Sequence, residues 1–147
     1  MLTVVEKVVF LQNVDIFEQV PAEQLSYIAA IADEVEYFKG DVIFKENEPS
    51  DSLYLVIDGK IDLQREGQQI LAAGAKEAFG TWSLLENEPR VVTARVTADA
   101  RLLRIERSDF VDLLADNVQV TQGILKTLVK KVRDLVDLVG SKQKRPL

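Results

Sequence analysis

Neither cysteine nor histidine occurs in the 147 residues. Their absence excludes disulfides, thiolate and imidazole metal sites, and every mechanism that pairs a nucleophile with a histidine. A carboxylate acid–base pair or an all-carboxylate metal site survives as an option, but Glu86 and Glu88, two apart in a turn, are weak evidence for it, and no nucleophile–base set can be assembled. No enzyme and no metal are expected. Long apolar runs are also missing: nothing approaches the roughly 18 residues that cross a bilayer. The opening Met1-Leu-Thr-Val-Val-Glu-Lys carries charge where a signal peptide needs an unbroken apolar segment. There is no basic stripe. With 18 Lys+Arg against 24 Asp+Glu the net charge is −6, a poor balance for a general polyanion binder. The chain is expected to be cytoplasmic, without a transmembrane segment.

What is present is ordinary globular usage, 47% hydrophobic and 29% charged, at a length that suits one domain with a helical appendage. Three zones differ in period. Residues 2–36 read as helical: Val4, Val5, Val8, Val9 and Phe10 cluster at helical spacing, and after Pro21 so do Leu25, Ile28, Ala29, Ala32 and Val35. From Val35 to Ile105 short apolar stretches alternate with turn residues. Asp58-Gly59 and Glu66-Gly67 offer the positive φ of tight hairpins. Six or seven short strands at this spacing predict a small barrel or jelly-roll sandwich.

Ser108 is placed to cap a helix over Asp109–Ala115, and a longer helix follows from Asn117 to Val139. In the longer helix Val118, Thr121, Leu125, Leu128, Val132, Leu135 and Val139 step by three and four, the spacing of a heptad seam. The seam predicts a homodimer. Ile124, Val129, Val136 and Leu138 widen the stripe, so packing against the β-zone is the alternative. Lys130, Lys131 and Arg133 spread around the outer face as solvated charges.

The segment Phe79-Gly80-Thr81-Trp82-Ser83, running on to Pro89-Arg90-Val91-Val92-Thr93, carries the chemistry. It reads as a glycine turn, a short helix and a proline-arginine step into a strand. A helix beginning just after Gly80 would aim main-chain N–H groups near Trp82 and Ser83 outward, where an anion can accept from them. Arg90 either adds a bidentate guanidinium to that anion or pairs with Glu86 or Glu88 at the surface. Thr81 either meets the ligand or caps the short helix.

In order, Gly40-Asp-Val-Ile-Phe44, Asp51-Ser-Leu-Tyr-Leu-Val-Ile-Asp-Gly59 and Phe79-Gly-x-x-Ser-Leu-Leu-x-x-x-Pro-Arg90 resemble the cyclic nucleotide-binding domain family. The resemblance runs from about Phe17 to the end of the long helix. It implies a mainly β double-stranded β-helix, or jelly-roll, of about eight strands, with N-terminal helices and a long C-terminal helix. Residues 1–116 would be the β-barrel unit with its N-terminal helices. Residues 117–147 would be a lid or dimerisation helix with a basic tail. The ligand would be cyclic AMP or cyclic GMP, with its phosphate on Arg90 and on cassette amides at Ser83 and Val91, and with Gly80 as the cassette glycine.

Three departures bear on the site. Thr81 stands where the family has a glutamate that accepts the ribose 2′-hydroxyl. Val91, Val92 and Trp82 are bulkier than usual and narrow the pocket, and Lys76 replaces a customary glycine. The candidate ligand-binding set is Gly80, Thr81, Ser83, Arg90, Val91 and Val92. The expected function is a regulatory sensor with weakened or altered affinity. The alternative is a degenerate, ligand-free copy serving as an interaction domain of a larger regulated protein. The 147 residues hold no helix-turn-helix after the long helix, so no DNA-binding domain is expected in this chain.

Overall fold

The computed structural model describes residues 1–81 and 88–140. Helices α1 (Val4–Leu11) and α2 (Ala22–Ala30) lead into strands β1 (Ala32–Tyr37), β2 (Val42–Phe44), β3 (Ser52–Arg65), β4 (Gln68–Ala73), β5 (Ala78–Phe79) and β6 (Thr93–Glu106). Helices α3 (Arg107–Asp116) and α4 (Val118–Gly140) close the described chain. The β-branched run of α1 is a poor helix former on propensity alone. A reciprocal cap compensates: the Thr3 side chain accepts from the Glu6 N–H, and the Glu6 carboxylate accepts from the Thr3 N–H.

All strand pairs are antiparallel. β6 pairs with β1, β2 and β3, while β3 also pairs with β4 and β5. The two 14-residue strands β3 and β6 form the spine. Side chains on a strand alternate faces, and here the alternation separates two cores. Leu53, Leu55, Leu103 and Ile105 face the helices, with Phe17, Ile28 and Phe110. Tyr54, Val56, Ala94, Val96 and Leu102 face the interior of the roll, with Phe44 and Phe79. Both faces of the first half of β3 are covered, so its apolar run has no polar partner positions.

The mainly β roll with flanking helices matches the expected class, with three differences in detail. First, the described residues contain six strands, in an order (β1-β6-β3-β4) that does not close. The stretches read as separate strands on either side of Asp58-Gly59 are one strand, β3. Those on either side of Asp99 are β6. Register shifts between Val56 and Ile61 bend the β3–β6 ribbon, so each long strand serves both halves of the roll. Gly59 is therefore not a hairpin residue. A Cβ there would lie 2.5 Å from the Ala100 Cα, so glycine is needed for close backbone approach. Glu66-Gly67 does form the β3–β4 turn, at φ 52° and 80°.

Second, α2 stops at Ala30, and Ala32–Tyr37 pairs with β6 although Ala32 and Val35 continue the helical count. The alternation of Val35 and Tyr37 with acids suits a half-buried strand, and pairing to a formed β6 decides the matter. Third, α3 begins at Arg107, directly after β6. Ser108 is not its cap; instead the Arg107 N–H donates to the Asp51 carbonyl at 2.8 Å. Asn117 caps α4, its Oδ1 accepting from the Val120 N–H.

Helix α4 packs on the chain at Gln19-Val20 through Val120, Gly123, Ile124 and Thr127. Thr127 Oγ1 accepts from the Gln19 N–H at 3.1 Å and donates to the Gly123 carbonyl. Two cations expected to be solvated are paired, Lys130 with Glu18 and Lys131 with Asp15. The hydrogen bond to Glu18 and its charge raise the pKa of Lys130. The heptad seam faces the other way: apart from half-buried Thr121, its residues are 42–64% exposed. Among the described residues no helix is long and apolar enough to cross a membrane.

Candidate functional site

β5 ends at Phe79, and Gly80 turns the chain at φ 76°. The turn leaves a cradle for a guanidinium. A Cβ on Gly80 would sit 2.7 Å from Arg90 Nη1 and 3.2 Å from the Ser52 carbonyl. Arg90 returns from the loop before β6 and is 5% exposed, so it is not a solvated surface charge. Its Nη2 donates to the Ser52 carbonyl at 2.8 Å and lies 3.8 Å from Asp51 Oδ1. Its Cζ stands 3.9 Å from the centre of the Phe44 ring, a desolvated cation–π contact worth ~2 kcal/mol. Glu86 lies outside the described residues, and Glu88 is exposed.

Burial lowers the pKa of Arg90, Tyr54 and Asp51 oppose that shift, and Arg104 adds to it. A guanidinium keeps its proton at neutral pH across such shifts. Asp51 serves both arginines, approaching Arg104 at 3.7 Å. Burial works against the Arg104 charge, but hydrogen bonds to Glu106 and Tyr54 hold its pKa above the ordinary arginine value. For Tyr37, burial and then the neighbouring Tyr54 raise the pKa.

The backbone of Arg90 is fixed by a loop that the sequence showed only as a turn. The Arg90 N–H donates to the Glu48 carbonyl and the Asn47 N–H donates to the Arg90 carbonyl, both at 2.8 Å. Asn47 adopts φ 68°, a region asparagine tolerates better than most residues. The signal for this loop was Asn47-Glu-Pro-Ser-Asp51, whose composition gives a turn but not its partner.

These elements enclose a cavity of about 690 Å³. Gly80, Thr81, Arg90, Val91 and Val92 all line it. Ser83, the remaining member of the candidate set, lies outside the described residues, as does Trp82. The valines leave the cavity open. Val91 is 52% exposed, and Val92 packs against the interior of the roll. Thr81 is half-buried at the wall. The volume falls within the ~300–1,000 Å³ of small-molecule sites. Apolar walls come from Phe44, Leu63, Leu71 and Phe79. The charged lining is Arg90 and Arg65 against Glu46, Glu66 and Glu88. Lys76 adopts φ 71° and donates its N–H to the Val56 carbonyl, which explains why glycine is the customary residue there. Among the described residues no group of three acidic side chains is arranged to hold a metal ion.

Comparison with known proteins agrees with this fold. The family model for the cyclic nucleotide-binding domain matches residues 34–117. A CRP-like cAMP-activated global transcriptional regulator from Mycobacterium tuberculosis is 26% identical over 138 residues, covering 88% of this chain and 62% of the relative. A cAMP-dependent protein kinase regulatory subunit from Hypocrea atroviridis is 26% identical over 138 residues, covering 94% of this chain and 28% of the relative. The chain thus spans less than two thirds of the length of either. Among solved structures, the N-terminal domain of a transcriptional regulator from Streptomyces coelicolor A3(2) superposes with TM-score 0.77 at 28% identity, over 87% of this chain and 95% of that one. By its fold, its ordered motifs and the match across 34–117, the chain belongs to the cyclic nucleotide-binding domain family.

Proposed function

We propose that this chain is the sensing module of a larger regulated protein and that its cavity takes cyclic AMP or cyclic GMP. The carrying observation is the buried, still-charged Arg90 at the base of an open cavity, cradled by Gly80 and the Ser52 carbonyl. Arg90 supplies the charge for the phosphate diester, with main-chain donors at Ser83 and Val91 completing the anion site. Thr81 faces the ribose with a neutral oxygen in place of a carboxylate. The missing charged acceptor weakens binding by ~1.5–3 kcal/mol, roughly tenfold to somewhat over a hundredfold. Residues 1–116 form the sensing unit, and 117–147 carry the response to a partner or a second copy. The same relatives support this reading: one is cAMP-activated and one is a cAMP-dependent kinase subunit.

Titration calorimetry with cyclic AMP and cyclic GMP tests the reading. Weak binding is expected, abolished by Arg90→Ala and strengthened by Thr81→Glu. If Arg90→Ala has no effect and Thr81→Glu leaves affinity unchanged, the sensing role is wrong. The exposed apolar seam of α4 favours a second reading, a ligand-free interaction domain. Heat-silent titrations with both nucleotides, together with self-association through α4, would select it.

A further inference from the structure

The loop from Lys45 to Ser50 does more than fix the arginine. Glu46, half-buried at the mouth of the cavity, accepts the Glu66 N–H on its carboxylate at 2.9 Å. Glu66 is the first residue of the two-residue turn joining β3 and β4, and this hairpin contributes Leu63, Arg65 and Leu71 to the lining. The Glu46 N–H donates to Thr93 Oγ1 at 3.1 Å, tying the same residue to the start of β6. The next two residues bond both main-chain groups of Arg90. The Glu48 carboxylate closes the loop on itself, accepting from the Lys45 N–H at 2.5 Å. Strand β2, which precedes the loop, pairs with β6 and not with the hairpin. β3 also pairs with β6, as far as Gln64 opposite Thr93, so the ladder joins the two walls only through β6, and the Glu46 carboxylate adds a direct link from the loop to the hairpin turn.

We propose that Glu46 is a positioning residue of the cavity: its carboxylate fastens the β3–β4 hairpin across the mouth and, through its own loop, couples that hairpin to the place where Arg90 meets the anion. The proposal deepens the functional reading above and rests on it for its ligand. Fastening the turn to the loop slows ligand escape, because it holds the hairpin tip beside the mouth in addition to the β3–β6 ladder.

The test uses the full chain as wild type, Glu46→Ala and Glu46→Gln. Amide hydrogen exchange is read at Glu66 and Arg90, and release of a base-labelled fluorescent cyclic AMP is followed by stopped flow. Glu46→Ala should speed exchange at both amides together, and speed release, by roughly two- to tenfold, the weight of one hydrogen bond. Glu46→Gln keeps an acceptor oxygen and should restore both. Faster exchange at Glu66 with Arg90 unchanged would overturn the coupling, as would failure of the glutamine to rescue. If wild type binds no cyclic nucleotide while the two amides still respond together, the functional reading falls and the positioning role stands.

Discussion

A guanidinium buried beside a glycine sets two demands on single residues. Gly80 must reach φ 76°, and it must leave room for Arg90 Nη1. The left-handed region costs other residues about 1–2 kcal/mol, and the contact adds to that. Gly80→Ala should therefore destabilise the fold by at least ~1–2 kcal/mol in urea unfolding. The two costs separate in a double-mutant cycle. In an Arg90→Ala background the guanidinium contact has gone, leaving the backbone strain and the 3.2 Å approach to the Ser52 carbonyl, so Gly80→Ala should cost less there. Equal cost in both backgrounds would show that Gly80 serves the turn and not the arginine. Lys76 holds a similar φ of 71°.

Among the elements, β3 and α4 owe their roles to what they pack against. β3 is one bent strand because Gly59 lets the ribbon approach Ala100 where the register slips. α4 docks by a similar device. A Cβ on Gly123 would lie 2.8 Å from the Val20 Cα and 2.9 Å from the Gln19 carbonyl, which are main-chain atoms that cannot swing aside. Gly123→Ala gains helix propensity of ~1 kcal/mol, but overpacking typically costs ~1–3 kcal/mol. Net destabilisation is the expected outcome, with loss of the Gln19–Thr127 hydrogen bond detectable as faster exchange of the Gln19 amide. A stabilised Gly123→Ala variant would mean that α4 shifts readily on its seat.

In the molecule as a whole, the face of α4 opposite Gly123 and Thr127 carries a row of exposed apolar side chains from Val118 to Val139. Burying Leu125, Leu128, Val132 and Leu135 against a second copy would remove a stripe that water disfavours. Sedimentation equilibrium is expected to show concentration-dependent dimers, and Leu128→Asp should convert them to monomers while near-ultraviolet circular dichroism stays unchanged. A monomeric wild type at high concentration would reject the seam as a self-association surface.

The sequence determined the zones, the ordered motifs and the conformations of special residues, because these depend on neighbours within a few positions. Alternation over Val35–Ile105 marked the strands, Glu66-Gly67 marked its turn, and the motif's Phe79-Gly80-Thr81 and Pro89-Arg90 marked cavity-lining residues. Whether Asp58-Gly59 is a hairpin or a bulge was not legible there, because both need the same φ and differ only in what lies across the sheet. The helical count through Ala32 and Val35 failed for the same reason: β6, some seventy residues away, offered them a ladder. The partners of Arg90 in Phe44, Asp51 and Ser52, and the loop that grips its backbone, come from segments about forty residues distant. Only folding brought that charge to the base of a cavity, since burial and long-range hydrogen bonds belong to the packed chain and to no stretch of it.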